Sequence, residues 1–211
     1  MISGVFRECS NQKCAFRYPD LDVAYEKTYC PKCGFPTNMI SRVGESSINK
    51  FFQKSKTKIV PHLDNIRSVY NVGSMLRTCE GFGIDEIVLA GITPTPKHPK
   101  MNKTGLGSSD RIKWQYFENG FRKAEELKSR GLQLISFENS SNAIPLPYLD
   151  KKLLNPNICI VFGNENLGID PGILEISDIV SSIPMVGKKE SYNVSVAFGI
   201  ALYFLAIESS I

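Results

Sequence analysis

The chain has 211 residues, 42% of them hydrophobic and 22% charged, with a formal net charge of +4. This length and balance suit one full domain with a small appendage and exclude wholesale disorder. No run of about 18 apolar residues offers a membrane span, and no basic start leading into an apolar run and cleavage site marks export, so a cytoplasmic protein is expected.

Four of the six cysteines lie near the start, as Cys9 and Cys14, then fifteen residues, then Cys30 and Cys33. The second pair reads Cys30-Pro31-Lys32-Cys33-Gly34, a knuckle in which Pro fixes one dihedral and Gly lets backbone amides approach sulfur. Two such pairs, the first more widely spaced than usual, supply the four thiolates of a tetrahedral structural zinc site, with iron, disulfides or free thiols as the alternatives. About 40 residues bury little apolar surface, so metal binding would provide most of their folding energy. Residues 1–41 are therefore expected to form a zinc-ribbon-like module. Between the pairs stand Phe16, Arg17, Tyr18, Tyr25 and Lys27. These either stack on bases and touch phosphates or make the ribbon's own small core.

Residues 42–58 carry Arg42, Lys50, Lys54, Lys56 and Lys58 against Glu45 alone. They read as a basic linker, either a solvated connection or a stripe that attracts a polyanion. All of the positive excess sits in residues 1–58, because residues 59–211 sum to −1.

Residues 59–211 alternate short apolar runs with amphipathic stretches. Strands are expected at Ile59–Leu63, Glu86–Ala90, Leu132–Phe137, Asn157–Phe162 and Ile179–Met185. Helices are expected over Ser68–Phe82, over Glu118–Arg130 with Gly131 beyond its end, from Asp170-Pro171 to Ile176, and from about Asn193 to Glu208. This succession predicts an α/β fold, a mostly parallel sheet with helices on both faces. Ligands of such sheets bind in loops beyond the carboxyl ends of the strands. Cys79 and Cys159, alone in apolar surroundings, read as inert core residues.

The common nucleotide fingerprints are absent: Gly81-Phe82-Gly83 follows a helix, and Gly105-Leu106-Gly107 follows a loop with Asp110 where a third glycine should stand. Three other segments concentrate polar residues near loops. The first, Asn65 to Thr78, places Arg67, Asn71 and Arg77 about a helix start, where backbone donors favour anions. The second, Val161-Phe162-Gly163-Asn164-Glu165-Asn166-Leu167-Gly168, is a strand ending in a Gly-bounded turn around one carboxylate. The third, Ile183 to Ser195, places Ser191 and Asn193 before a strongly apolar helix. Singly, each also reads as a capping or turn device.

In order and spacing the three segments resemble the motifs of the SpoU/TrmH class of SPOUT RNA 2′-O-methyltransferases. The likeness runs from about Ile59 to Ile207 and includes Lys103-Thr104-Gly105-Leu106-Gly107-Ser108, similar to a Lys-Thr-Ala-Leu-Gly-Ala pattern in many members. Tyr192 departs from it, standing where Leu or Met is usual, and Gly105 replaces a common Ala. The resemblance implies a C-terminal trefoil knot, S-adenosylmethionine held bent, and a homodimer whose active site is completed across the subunit interface. It implies that Arg77 is the catalytic residue, either accepting the 2′-hydroxyl proton or orienting the hydroxyl with help from a phosphate, and that Asn71, Glu165, Ser191 and Asn193 position it, the ribose and the cofactor. Phe137, Gly163, Asn164, Ile183 and Met185, together with Ser191 and Asn193, would hold the cofactor, and Arg67 and Lys103 would bind RNA, whether tRNA or rRNA. The cysteine-rich start lies outside the common family core. Two other readings stay open: a zinc-ribbon RNA-binding protein without catalysis, and a knotted enzyme that methylates a base.

Overall fold

The structure is a computed structural model that describes residues 4–21, 28–43, 57–101 and 111–207. It divides into two compact units, Met1–Phe51 and Phe52–Ile211, with the division inside the basic stretch.

The first unit holds strands β1 (Val5–Cys9), β2 (Arg17–Asp20) and β3 (Thr37–Arg42), antiparallel in the order β2-β1-β3. Strand alternation turns Val5, Arg7 and Cys9 inward. Arg7 is buried because its Nε donates to Asp20 Oδ2 at 2.7 Å, which satisfies the charge. Phe16 is 37% exposed, Tyr29 66% and Phe35 52%. These three rings are thus exposed, whereas Tyr18 is half-buried and stacks on Phe16. Tyr25 and Lys27 lie outside the described residues.

The second unit is built on seven parallel strands: β4 (Lys58–Asp64), β5 (Glu86–Ala90), β6 (Lys113–Phe117), β7 (Gln133–Phe137), β8 (Ile144–Pro145), β9 (Asn157–Phe162) and β10 (Ile179–Ser182). Their order is β6-β5-β4-β9-β7-β10-β8. The apolar runs lack a polar alternation because both faces are covered. Ile59, Leu63, Ile87, Leu89, Ile135, Ile158 and Ile160 point to one core, shared with α1 (Val69–Gly81) and α4 (Val194–Ala206). Their neighbours Val60, Val88, Leu134, Cys159 and Val161 point to the other, shared with α2 (Gly120–Ser129) and α3 (Pro171–Ile176). Each fully buried aliphatic or aromatic side chain stabilises the unit by about 1.5–3 kcal/mol.

Each of the four described α-helices begins with a side-chain cap: Ser68 accepts from the Asn71 amide, Asn119 from Arg122, Asp170 from Gly172 and Asn193 from Ser195. Each such cap contributes about 1 kcal/mol. The expected strand through Met185 stops at Ser182, and Pro184 just beyond it has no amide hydrogen to extend a ladder. Strands β6 and β8, both at sheet edges, were not expected from the sequence.

Candidate active site

The carboxyl ends of β4, β7, β9 and β10 lead into the segments singled out in the sequence. After β4 the chain turns at Asn65, whose φ of 56° lies in the left-handed region. Asn65 holds that turn by accepting the Ile92 amide on Oδ1, and Thr93 Oγ1 accepts the Ile66 amide. The first residues of α1 are thereby presented to the turn that follows β9.

That turn, Gly163–Gly168, is closed by paired backbone bonds between Asn164 and Gly168, each 2.9 Å. Asn164 Oδ1 accepts the amides of Asn166 and Leu167, and its Nδ2 donates to the Asn65 carbonyl. Gly163 has no freedom to be anything else. A Cβ there would lie 2.3 Å from the Gly168 carbonyl and the Ile169 amide nitrogen.

Glu165 is the centre of the arrangement. Oε2 accepts the Arg67 amide at 2.8 Å, while Oε1 accepts the Ser68 amide at 3.0 Å and Asn71 Nδ2 at 2.8 Å. Burial pushes its pKa up, but the donors from Arg67, Asn71 and Ser68 outweigh that and hold the carboxyl below its ordinary value. The anion also sits at the positive end of α1. Asn71 Oδ1 in turn accepts from Asn193 Nδ2 at 3.1 Å, and Asn193 Oδ1 caps α4 through the Ser195 amide and hydroxyl. One hydrogen-bond chain, Glu165–Asn71–Asn193, thus joins all three segments.

Beside it lies an open cavity of about 530 Å³. Phe137, Gly163, Asn164, Glu165, Ile183, Ser191 and Asn193 line it; Met185 is not among the lining residues. Phe137 stacks on Phe162 at 5.0 Å, and Phe162 meets Phe198 edge-on at 5.3 Å, which gives the cavity a rigid apolar wall. Among the lining residues that the sequence reading did not single out are Glu138 and Asn139. Glu138 accepts the Ile169 amide at 2.9 Å, and Asn139 Nδ2 donates to the Glu190 carbonyl at 2.8 Å. Adjacent residues after β7 thus tie the second and third segments together. Their only sequence signal is a polar pair directly after an apolar strand.

Arg77 is not brought to this cavity. It stands six residues beyond Asn71 in α1, hence about 120° around the helix, and it is exposed. It forms no hydrogen bond or ion pair among the described residues. Arg67 is exposed beside the site, and Lys103 lies outside the described residues.

In the first unit the Sγ atoms of Cys9, Cys14, Cys30 and Cys33 all lie within 4.8 Å of one another. Zinc–sulfur bonds of about 2.3 Å require sulfurs about 3.8 Å apart in a tetrahedron, so the donor set fits zinc. The two knuckles match. Gly34 has a φ of 73° after the second pair, and Ala15 takes the same left-handed role, at 46°, after the first. Burial pushes the Cys9 thiol up to about 12. At Cys30 burial acts in the same direction, but the Lys32 and Cys33 amides outweigh it and bring the thiol down to about 7.

Known proteins resemble the chain over most of its length. The profile of the SpoU rRNA Methylase family matches residues 58–203. The tRNA (guanosine(18)-2′-O)-methyltransferase of Aquifex aeolicus is 31% identical over 159 residues, which are 74% of this chain and 72% of that protein. A crystal structure of an Aquifex aeolicus TrmH/SpoU tRNA modifying enzyme superposes with a TM-score of 0.62 at 30% identity, covering 72% of this chain and 76% of that one. An AdoMet-bound rRNA methyltransferase from Sinorhizobium meliloti has the same fold, with a TM-score of 0.65 at 22% identity over 70% of this chain and 55% of that one. With this profile over most of its length, the chain belongs to the SpoU rRNA methylase family.

Proposed function

We propose that the chain is an S-adenosylmethionine-dependent RNA methyltransferase that modifies a ribose 2′-hydroxyl of tRNA or rRNA. The observation that carries this reading is the Glu165–Asn71–Asn193 chain at the rim of a cavity sized for a small cofactor. S-adenosylmethionine, when bound, supplies an electrophilic methyl group. Phe137, Gly163, Asn164, Ile183 and Ser191 are the residues that would hold it, through main-chain groups at the strand ends and the wall of stacked rings. Glu165, fixed as an anion, positions Asn71, and Asn71 positions Asn193, so the polar rim is set before substrate arrives. A C-terminal trefoil knot, expected from the family, would brace the third segment.

Arg77 is assigned the catalytic role of orienting the 2′-hydroxyl and stabilising the negative charge that develops on its oxygen. A guanidinium is a planar fork of hydrogen-bond donors, which suits that role, and the hydroxyl proton leaves to solvent as the methyl group is accepted. Because Arg77 lies away from the cavity of its own chain, a second copy would have to present it. Exposed Val196, Ile200 and Tyr203, spaced along one side of α4, and Tyr70 on α1 supply an apolar surface for such a homodimer. Arg67 and Lys103 are assigned to RNA phosphate. The cysteine cluster is assigned a structural zinc ion.

The deciding experiment uses Arg77→Ala. Methyl transfer, followed by nucleoside analysis of the modified RNA, should fall by about 10²–10⁴-fold, with the calorimetric affinity for S-adenosylmethionine nearly unchanged. Normal turnover by this variant, or methyl groups found on a base, would overturn the assignment.

A further inference from the structure

The exposed rings of the first unit are unexplained by the methyl-transfer site. Phe16 and Tyr18 stack with centroids 5.7 Å apart and planes 19° from parallel. The Tyr18 hydroxyl donates to the Tyr29 carbonyl at 3.5 Å, which sets Tyr29 beside the pair. Tyr29 is 66% exposed, well above what a ring serving its own core would be.

Among the described residues of this unit the charge left unpaired is positive. Of the described acids in this unit, Asp20 is held by Arg7, and Glu8 lies 3.9 Å from Arg17. Lys13 and Lys32, carried on the two cysteine turns, pair with no carboxylate among the described residues. Exposed aromatic faces in a unit that also carries unpaired cations on its cysteine turns suit a polyanion that carries flat, apolar groups. A second copy of this chain or an acidic peptide would use the charge but leave the stacked faces without a matching partner.

We propose that this aromatic edge binds single-stranded RNA, with bases stacking on Phe16, Tyr18 and Tyr29 and phosphates meeting Lys13 and Lys32. The choice of RNA rests on the methyltransferase reading given above. Duplex RNA does not fit, because its bases are already stacked on each other and present no free face.

The test measures binding of a labelled, unstructured RNA decamer to the full-length, zinc-loaded protein by anisotropy. Phe16→Ala and Tyr29→Ala should each weaken binding about tenfold. Phe16→Leu should be equally weak, because it keeps apolar bulk but loses the stacking face; rescue by Leu would mean a merely structural role. Lys13→Ala and Lys32→Ala should each flatten the salt dependence by slightly less than one unit of slope. Val43→Ala, at the end of the sheet away from the cysteines, should bind as the parent does. Retained zinc in each variant establishes that the unit is folded.

Unchanged decamer binding by the Phe16→Ala, Tyr29→Ala double variant overturns the proposal, as does equal affinity for a duplex of the same length. A change in sedimenting mass without a change in RNA affinity assigns the rings to contact between copies, and also overturns it. Methyl transfer is read separately: parent-like decamer affinity in the variants of an active enzyme sinks this inference alone, whereas an inactive parent sinks the methyltransferase reading.

Discussion

The sheet of Phe52–Ile211 buries aliphatic side chains on both faces, whereas the sheet of Met1–Phe51 buries little among its described residues beyond Val5, Arg7, Cys9, Cys30 and Thr37. The larger unit is held by many small contributions spread over two cores, so no single one is decisive. The smaller unit depends on one four-sulfur cluster and one buried ion pair. A consequence is that the smaller unit has its rings free for other uses, while the larger keeps Phe162 and Phe198 inside.

The largest effect expected from this contrast is a complete one. Cys30→Ser, or removal of metal by a chelator, should abolish protease resistance within residues 4–43 and leave the affinity for S-adenosylmethionine unchanged. Protection that survives metal removal would mean that the strands hold themselves. Next comes the reciprocal lesion. Phe162→Ala removes a ring packed between Phe137 and Phe198 and should cost about 3–5 kcal/mol in denaturant unfolding of the larger unit, with zinc content retained.

A third effect depends on pH. His62 in β4 is fully buried, both its ring nitrogens lack a hydrogen-bond partner among the described residues, and burial, aided by Lys123, lowers its pKa from 6.5 to about 4. The unfolded chain therefore binds the proton more readily than the folded one. Stability is complete above about pH 6.5 and declines as pH falls toward 4, by about 3 kcal/mol at the lower end. His62→Leu should show a shallower acid decline than the parent; parallel curves would mean that His62 finds a partner when protonated. The smallest effect concerns Ala15, whose left-handed backbone favours glycine. Ala15→Gly should strengthen apparent zinc affinity about fivefold, or about 1 kcal/mol, in a chelator competition.

Much of this was legible in the sequence where one physical signal dominated. The inner strands β4, β5, β7 and β9 read clearly because burial on two faces demands unbroken apolar runs. β6, reading Lys113-Trp114-Gln115-Tyr116-Phe117, did not, because an edge strand with a half-exposed face needs no such run. The four zinc-ligand candidates were found by spacing alone, but spacing could not say where Phe16 and Tyr29 point. At the candidate active site, Glu165, Asn71 and Asn193 stood out locally as polar residues near loops, but only the order of the three segments joined them into one site, since no local pattern links residues so far apart. Glu138 and Asn139 were missed because their work is done through backbone partners, Ile169 and Glu190, whose identity carries no signal.

That distance has a kinetic meaning. Asn71 lies 94 residues from Glu165 and 122 from Asn193, and the rim depends on both bonds. Such contacts form only after long loops have closed, which places assembly of the rim late in folding. During synthesis, a nascent chain should acquire no cofactor affinity until α4 has left the ribosome. Any ligand of the cavity then binds the finished unit and not its precursors, and the whole parallel sheet gains stability in step with ligand concentration.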